Sequence, residues 1–176
     1  LTNAKRYESI PKVDTVIHIA AKAGVRPSIE APNDYVQTNI VGTQNLLDWM
    51  VKKDVKKLLF ASSSSIYGNN INVPFKETDI VDFPISPYAY SKKSNELQIH
   101  TFHKLYDIDA ICMRFFTVFG PRQRPDLAIR KFVTKILNDE PIEMFGDGST
   151  GRDYTFVTDT VEGILQSLNY VQNNSN

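Results

Sequence analysis

The stretch TVIHIAA, residues 15–21, decides how the chain folds. It is apolar and β-branched, too short for a helix, and it runs into small residues, the pattern of a buried strand ending in a tight turn. The next segment has a different period. From Asn33 to about Lys53, Val36, Ile40, Leu47 and Met50 recur at helical spacing and predict a helix with one core-facing stripe. KKLLFASS (56–63) repeats the strand signal, and residues 67–87, with Gly68 and three prolines, read as a loop. A second long helix is predicted from Tyr88 to about Tyr106, and a third strand over DAICMRFF (109–116). GPRQRP (120–125) reads as a loop and 126–138 as a helix with Ile129, Phe132, Val133 and Ile136 apolar. A strand IEMF (142–145), a turn GDGSTG (146–151), a strand RDYTFV (152–157) and a helix begun by Thr158 or Asp159 complete the alternation.

Strands alternating with helices longer than ten residues predict an α/β fold, with a parallel sheet covered by helices on both faces. In such sheets ligands gather at the carboxyl ends of the strands. Four places qualify: AAKAGVR (20–26), SSSSIYG (62–68), FFTVFGPR (115–122) and the start of the helix at Tyr88.

The bulk numbers narrow the function. The 176 residues suit one domain, and 20 Lys plus Arg balance 20 Asp plus Glu, so bulk charge argues for neither a nucleic-acid nor a membrane-surface partner. A single cysteine, Cys112, leaves no disulfide framework and no zinc cluster, so no metal is expected. With no signal-like N-terminus and no apolar run long enough for a bilayer, a cytoplasmic setting is the expectation.

SPYAYSKKS (86–94) places two tyrosines ahead of two lysines at the start of the second long helix. Residues four apart share a helix face and residues two apart do not, so Tyr88 pairs with Lys92, while Tyr90 has Ser94 at the matching position. A phenol with a pKa of about 10 is a poor base at neutral pH, and a nearby ammonium favours its ionised form. An isolated Y-x-x-x-K is commonly a buried Tyr beside a solvated Lys. Here it stands with four serines, Ser62–Ser65, at the end of a buried strand and on the sheet edge where the Tyr88 helix begins. A hydroxyl there can hold a substrate oxygen while Tyr88 takes its proton.

Together VIHIAAKAGV (16–25), TNIVGTQNLL (38–47), FASSSSIYG (60–68), SPYAYSKKSNE (86–96), RFFTVFGPR (114–122) and GRDYTFVTD (151–159) resemble the extended short-chain dehydrogenase/reductases, in particular the NAD-dependent nucleotide-sugar epimerases and dehydratases. The resemblance runs from about Val13 to Leu168. It implies a Rossmann-like fold, NAD as cofactor, and a catalytic set of Ser63, Tyr88 and Lys92, with Ser64 a second hydroxyl near the sugar. It also implies a nicotinamide side formed by Ile19, Ala20, Ala21, Asn39, Ser62, Phe115 and Val118, together with Tyr88 and Lys92. Tyr88 would take a sugar hydroxyl proton while hydride leaves the carbon, and return of the hydride on the opposite face would give epimerisation with no net redox change. Dehydratases carry an acidic residue after the catalytic Ser/Thr position; Ser64 and Ser65 stand there, which disfavours elimination.

AGVRPSIEAP (23–32) and RFFTVFGPRQRPDLA (114–128) are most similar to the UDP-glucuronate 4-epimerases. That implies Thr117 and Arg124 facing the sugar carboxylate, with Arg26 a third candidate, since a guanidinium offers a two-pronged match to a carboxylate. Arg152 matches a residue that pairs with the nucleotide diphosphate. Lys22, Phe119 and the Arg122–Gln123 pair depart from the pattern, so a neutral or N-acetylated hexose stays open as the alternative.

The family's glycine-rich turn is not found in this sequence, whose eight glycines are scattered. By the resemblance Val13 opens the fourth strand of the dinucleotide domain. Residues 1–140 would then be the later part of an incomplete Rossmann-like domain, and 141–176 the start of the substrate-binding region. The expectation is the middle of an enzyme that is a homodimer at full length. A fragment or binding module unable to hold NAD by itself is the alternative.

Overall fold

The computed structural model describes residues 1–143, 146–148 and 151–174. In chain order the strands and helices are β1 (Val16–His18), α1 (Val25–Glu30), α2 (Pro32–Tyr35), a π-helical segment (Val36–Val41), α3 (Gly42–Lys52), β2 (Lys57–Ser63), α4 (Pro87–Tyr106), β3 (Asp109–Phe115), β4 (Thr117–Phe119), α5 (Ala128–Leu137), β5 (Tyr154–Phe156) and α6 (Val157–Asn173). Short 3₁₀ turns lie at Ala4–Tyr7 and Ser64–Tyr67. Two compact units result, Leu1–Phe115 with Leu165–Asn176, and Phe116–Ile164.

In the first unit β1, β2 and β3 form a parallel sheet in that order. Leu58 and Phe60 join Leu46, Leu47, Met50 and Ile99 in the core on one face, while Leu59, fully buried, points to the other. Burial on both faces is why β2 reads as a continuous apolar run. The register sets Arg114 opposite Ser62 and Phe115 opposite Ser63.

The expected helix from Asn33 to Lys53 is an unbroken helical run that includes the π segment, and an extra short helix, α1, precedes it. β1 is shorter than the apolar run predicts, so Ile19, Ala20 and Ala21 lie just beyond its carboxyl end.

The second unit holds the parallel pair β4–β5, α5 and the first turns of α6. β4 follows β3 after Phe116 alone, where one strand was expected. Gly120, at φ 144°, sits where a Cβ would come within 2.7 Å of Val157, so glycine is required there. The apolar stripe of α5 stays largely open, with Val133 and Ile136 more than half exposed. α6 begins at Val157, directly after β5, which places Thr158 and Asp159 inside its first turn and not at the cap. Ile142 and Glu143 are not in a strand; Met144, Phe145 and the Ser149–Thr150 part of the expected turn lie outside the described residues.

Candidate active site

The first unit builds its candidate site at the carboxyl end of β2. Ser63 leaves the strand in extended conformation and caps the 3₁₀ turn: its Oγ accepts from the Ser65 amide at 3.2 Å and from the Ser65 hydroxyl at 2.9 Å. Either hydroxyl of that pair can donate to the other, and with Ser65 donating the Ser63 proton can reach a further acceptor. Ser64, half-buried, is the first residue of that turn. Gly68 closes it at φ 59°, where a Cβ would meet the Phe83 carbonyl at 2.6 Å.

α4 starts where Ser86 and Pro87 dictate. The Ser86 hydroxyl accepts from the Ala89 amide at 3.1 Å, and Pro87 occupies the first turn, where its missing N–H costs nothing. Tyr88 and Lys92 therefore lie one turn apart on the same face. Lys92 is 3% exposed; its ammonium donates to the Ala61 carbonyl at 2.7 Å and lies 4.7 Å from the Phe60 ring centroid. Burial pushes it down to about 8, because a charged amine away from water is disfavoured. Tyr88 is half-buried, and its ring meets Tyr35 edge-on at 6.2 Å. Tyr35 is itself held by its hydroxyl, which donates to the Ala23 carbonyl at 3.1 Å.

Asn39, in the π segment and 2% exposed, ties this face together. Its amide donates to the Lys22 carbonyl (3.0 Å) and the Ser91 hydroxyl (2.9 Å) and accepts from the Lys22 N–H (2.8 Å). Ser91 in turn donates to the Tyr88 carbonyl, and Asn95 donates to the Asn39 carbonyl. The side chain of Asn39 is thus engaged within the protein, fixing the loop after β1 against α4.

Sequence reasoning assigned nothing to a third group. Glu96, one turn beyond Lys92, accepts from the Ser62 hydroxyl at 2.5 Å and is clasped by Arg114 through Nε at 3.2 Å and Nη2 at 3.0 Å. The signals were present: an acid at the next helical position after Lys92, and an Arg inside a strand. His18 was also passed over. It is buried, 3.0 Å from the Thr43 hydroxyl, and burial, with repulsion from Lys92 adding to it, pushes the imidazole down to about 4. Burial pushes the Cys112 thiol up to about 12, which leaves it no thiolate to act as a nucleophile at neutral pH.

The other sequence-predicted residues are more dispersed. Ile19 and Ala20 are exposed and Ala21 half-buried beyond β1; Arg26 is exposed on α1. Phe115 ends β3, half-buried. In the second unit, Thr117 and Val118 are half-buried on β4. Arg124 is exposed and forms a two-pronged pair with Asp126, at 3.0 Å and 2.6 Å, which holds that carboxyl below its ordinary value. Arg152, also exposed, donates to the Gly151 carbonyl at 2.8 Å. Among the described residues no helix is long and apolar enough to cross a membrane.

A family model described as the NAD dependent epimerase/dehydratase family matches residues 1–176. The chain belongs to that family. Among curated members of this epimerase/dehydratase family, the UDP-glucuronate 4-epimerase of Thermodesulfobacterium geofontis is 49% identical over 156 residues, covering 89% of this chain and 48% of that protein. The solved UDP-glucuronic acid 4-epimerase of Bacillus cereus, in complex with UDP-glucuronic acid and NAD, is 37% identical with a TM-score of 0.84, over 94% of this chain and 51% of that one. The UDP-N-acetylglucosamine 4-epimerase of Methanobrevibacter ruminantium, in complex with UDP-N-acetylmuramic acid, is 37% identical with a TM-score of 0.88, over 93% and 54%. The chain spans about half the length of the curated relatives it matches. These likenesses agree with the parallel, helix-flanked, Rossmann-like arrangement of the family.

Proposed function

We propose that this chain carries the catalytic segment of an NAD-dependent UDP-sugar 4-epimerase that interconverts UDP-glucuronate and UDP-galacturonate. The observation that carries the reading is the buried Lys92 ammonium, anchored to Ala61 beside the serine corner and one helical turn from Tyr88. Ser63 supports it with a hydroxyl held by the Ser65 amide and hydroxyl at the end of β2, able to donate its own proton when Ser65 donates to it.

The residues fit NAD. The bond to Ala61 uses one of three ammonium donors on Lys92, leaving two for ribose hydroxyls. Ala20 and Ala21 are small and lie past the end of β1, where a dinucleotide needs close backbone approach. Ile19, Ser62, Phe115 and Val118 belong to the same nicotinamide side in this proposal, with Asn39 supporting the loop from beneath. When bound, NAD accepts a hydride from the sugar and later returns it, so the reaction is redox-neutral overall.

Each protein group then has one task. The Tyr88 oxygen takes the proton of the C4 hydroxyl and gives it back after the keto-sugar has turned over in the site. Lys92 stabilises the tyrosinate by charge. Ser63 donates to the C4 oxygen, an interaction that strengthens as that oxygen gains negative charge. Ser64 is a second hydroxyl near the sugar. The family resemblance assigns Thr117 and Arg124 to the sugar carboxylate, with Arg26 a further candidate for that role, and Arg152 to the diphosphate. The division near residue 140, between the later part of the dinucleotide-binding domain and the start of the substrate-binding region, is part of the same proposal. So is a homodimer joined through α4, whose Leu97 and Leu105 are 55% and 65% exposed two turns apart, while Ile99 is buried.

Arg124 supports an acidic sugar because its fork already holds a carboxylate, that of Asp126. The same pairing favours a second reading, a UDP-glucose or UDP-N-acetylhexosamine 4-epimerase, in which Asp126 is never displaced. Incubating the intact protein with each UDP-sugar and resolving the products by anion-exchange chromatography decides between them. UDP-galacturonate from UDP-glucuronate, without accumulation of NADH, is the expected result. Conversion of the neutral sugars alone would refute the acid-specific reading.

A further inference from the structure

Lys92 and Glu96, one turn apart on α4, reach two consecutive residues of β2: Lys92 holds the Ala61 carbonyl and Glu96 the Ser62 hydroxyl. The next residue is Ser63. Glu96 in turn is clasped by Arg114 through two nitrogens, and Arg114 stands opposite Ser62 in the β2–β3 register. The third arm of the guanidinium, Nη1, donates to the Tyr67 hydroxyl and the Glu77 carbonyl, both at 3.1 Å, and the guanidinium lies 5.2 Å from the Tyr67 ring centroid. Tyr67 stacks on Phe75 at 4.6 Å and donates to the Lys76 carbonyl. One ion pair therefore fastens α4, the ends of β2 and β3, the 3₁₀ turn and the loop after it.

Both partners are largely shielded, with side chains 12% and 18% exposed. A shielded, two-pronged pair is a rigid connector, because its geometry is narrow and water cannot substitute for either partner. An apolar contact would hold α4 against the sheet equally well, but it would not hold the Ser62 hydroxyl at a fixed point on α4. Ser62 is the residue before Ser63 at the end of β2, held one helical turn along α4 from the Lys92 contact with Ala61.

We propose that Glu96 and Arg114 are positioning residues for the reaction: the pair holds the Ser62 hydroxyl, and through it sets the Ser63 donor against the Tyr88–Lys92 face of α4. The inference rests on the function proposed above. It assigns no contact with substrate or cofactor to either residue. A displaced Ser63 loses an interaction that strengthens in the transition state, so turnover falls more than substrate binding does.

The test uses the intact protein with NAD and two variants. Glu96→Gln keeps the shape and removes the charge; Ser62→Ala leaves the ion pair whole and removes only the hydroxyl it holds. Each is combined with Ser63→Ala. The expected result is a 10- to 100-fold fall in kcat with KM changed less than about 3-fold, and no further fall when either change is added to Ser63→Ala, because residues acting through one group are not additive. Amide exchange is the arm independent of activity. The Ser65 amide, bonded to Ser63 Oγ, should exchange faster in both variants, while the amides of residues 58–60 keep their protection. Additive losses with Ser63→Ala, or exchange rising throughout β2 and α4, would overturn the proposal. If the wild-type protein epimerises no UDP-sugar, the functional reading fails and the exchange arm decides alone: unchanged protection at Ser65 in both variants overturns the positioning role.

Discussion

Lys92→Met should make the protein more stable at neutral pH while removing its activity. The ammonium is 3% exposed, and burial brings it from the ordinary 10.5 to about 8. At 1.36 kcal/mol per pH unit, keeping it charged in the folded protein costs about 3 kcal/mol at pH 7. Methionine retains the length and apolar stem, and loses the hydrogen bond to Ala61, worth about 1 kcal/mol. The net gain expected at pH 7 is about 2 kcal/mol. The unfolded lysine holds its proton up to about pH 10.5 and the folded one releases it near 8, so the unfolded state binds more protons between those values. Wild-type stability should therefore rise with pH across that window relative to the variant, and above it the wild type should be the more stable by about 1 kcal/mol. Urea unfolding of both proteins, freed of bound nucleotide, at pH 7, 9 and 10.5 reads this difference, and the subtraction removes other groups that titrate in the same range. A variant less stable than wild type at pH 7, or a difference constant with pH, would show that the Lys92 charge is not what burial penalises. Stability given up at a residue the chemistry requires is a common trade at active sites.

His18 makes the opposite end of the pH range sensitive. Its buried imidazole titrates at about 4 when folded and near 6.5 when unfolded, so stability should fall by up to about 3 kcal/mol as pH drops from 6.5 to 4. His18→Gln, compared by acid titration of circular dichroism, should flatten that fall. Asn39→Ala removes three hydrogen bonds, one buried and two partly buried, at about 1 kcal/mol each or less, and should lower the urea-unfolding free energy by about 2 to 3 kcal/mol. Arg124→Ala should lower kcat/KM for UDP-glucuronate about 10- to 100-fold, and equal losses for acidic and neutral sugars would contradict a carboxylate contact.

Much of the frame was legible because its signals are local. β2 could be read to within a residue since a strand buried on both faces has no polar interruption, and α4 starts one residue before the expected Tyr88, because Pro87 occupies its first turn behind the Ser86 cap. The spacing of Tyr88 and Lys92 is a property of any helix and needed no tertiary information. Other features were hidden for physical reasons. α1 carries Val25 and Ile29 on its exposed side and shows no core stripe, so nothing marks it as a helix. The π segment adds one residue to a turn, an adjustment that a search at a period of 3.6 averages away. β4 sits one residue after β3, and only its pairing with β5 separates the two. The Glu96–Arg114 pair joins a helix to a strand 18 residues on; each residue stands out locally, but only the fold shows that they are partners. The burial of Lys92 runs against the ordinary habit of lysine and follows from the tertiary fit of α4 on β2.

In the proposed reaction the phenol oxygen of Tyr88 moves the proton of the sugar hydroxyl. Tyr88→Phe removes that one atom and leaves the edge-on ring contact with Tyr35 in place. Turnover of UDP-glucuronate by the intact variant, followed under saturating substrate, should fall about 10³-fold with bound NAD retained. A variant that binds NAD and still turns over within a few-fold of wild type would show that the proton moves by another group.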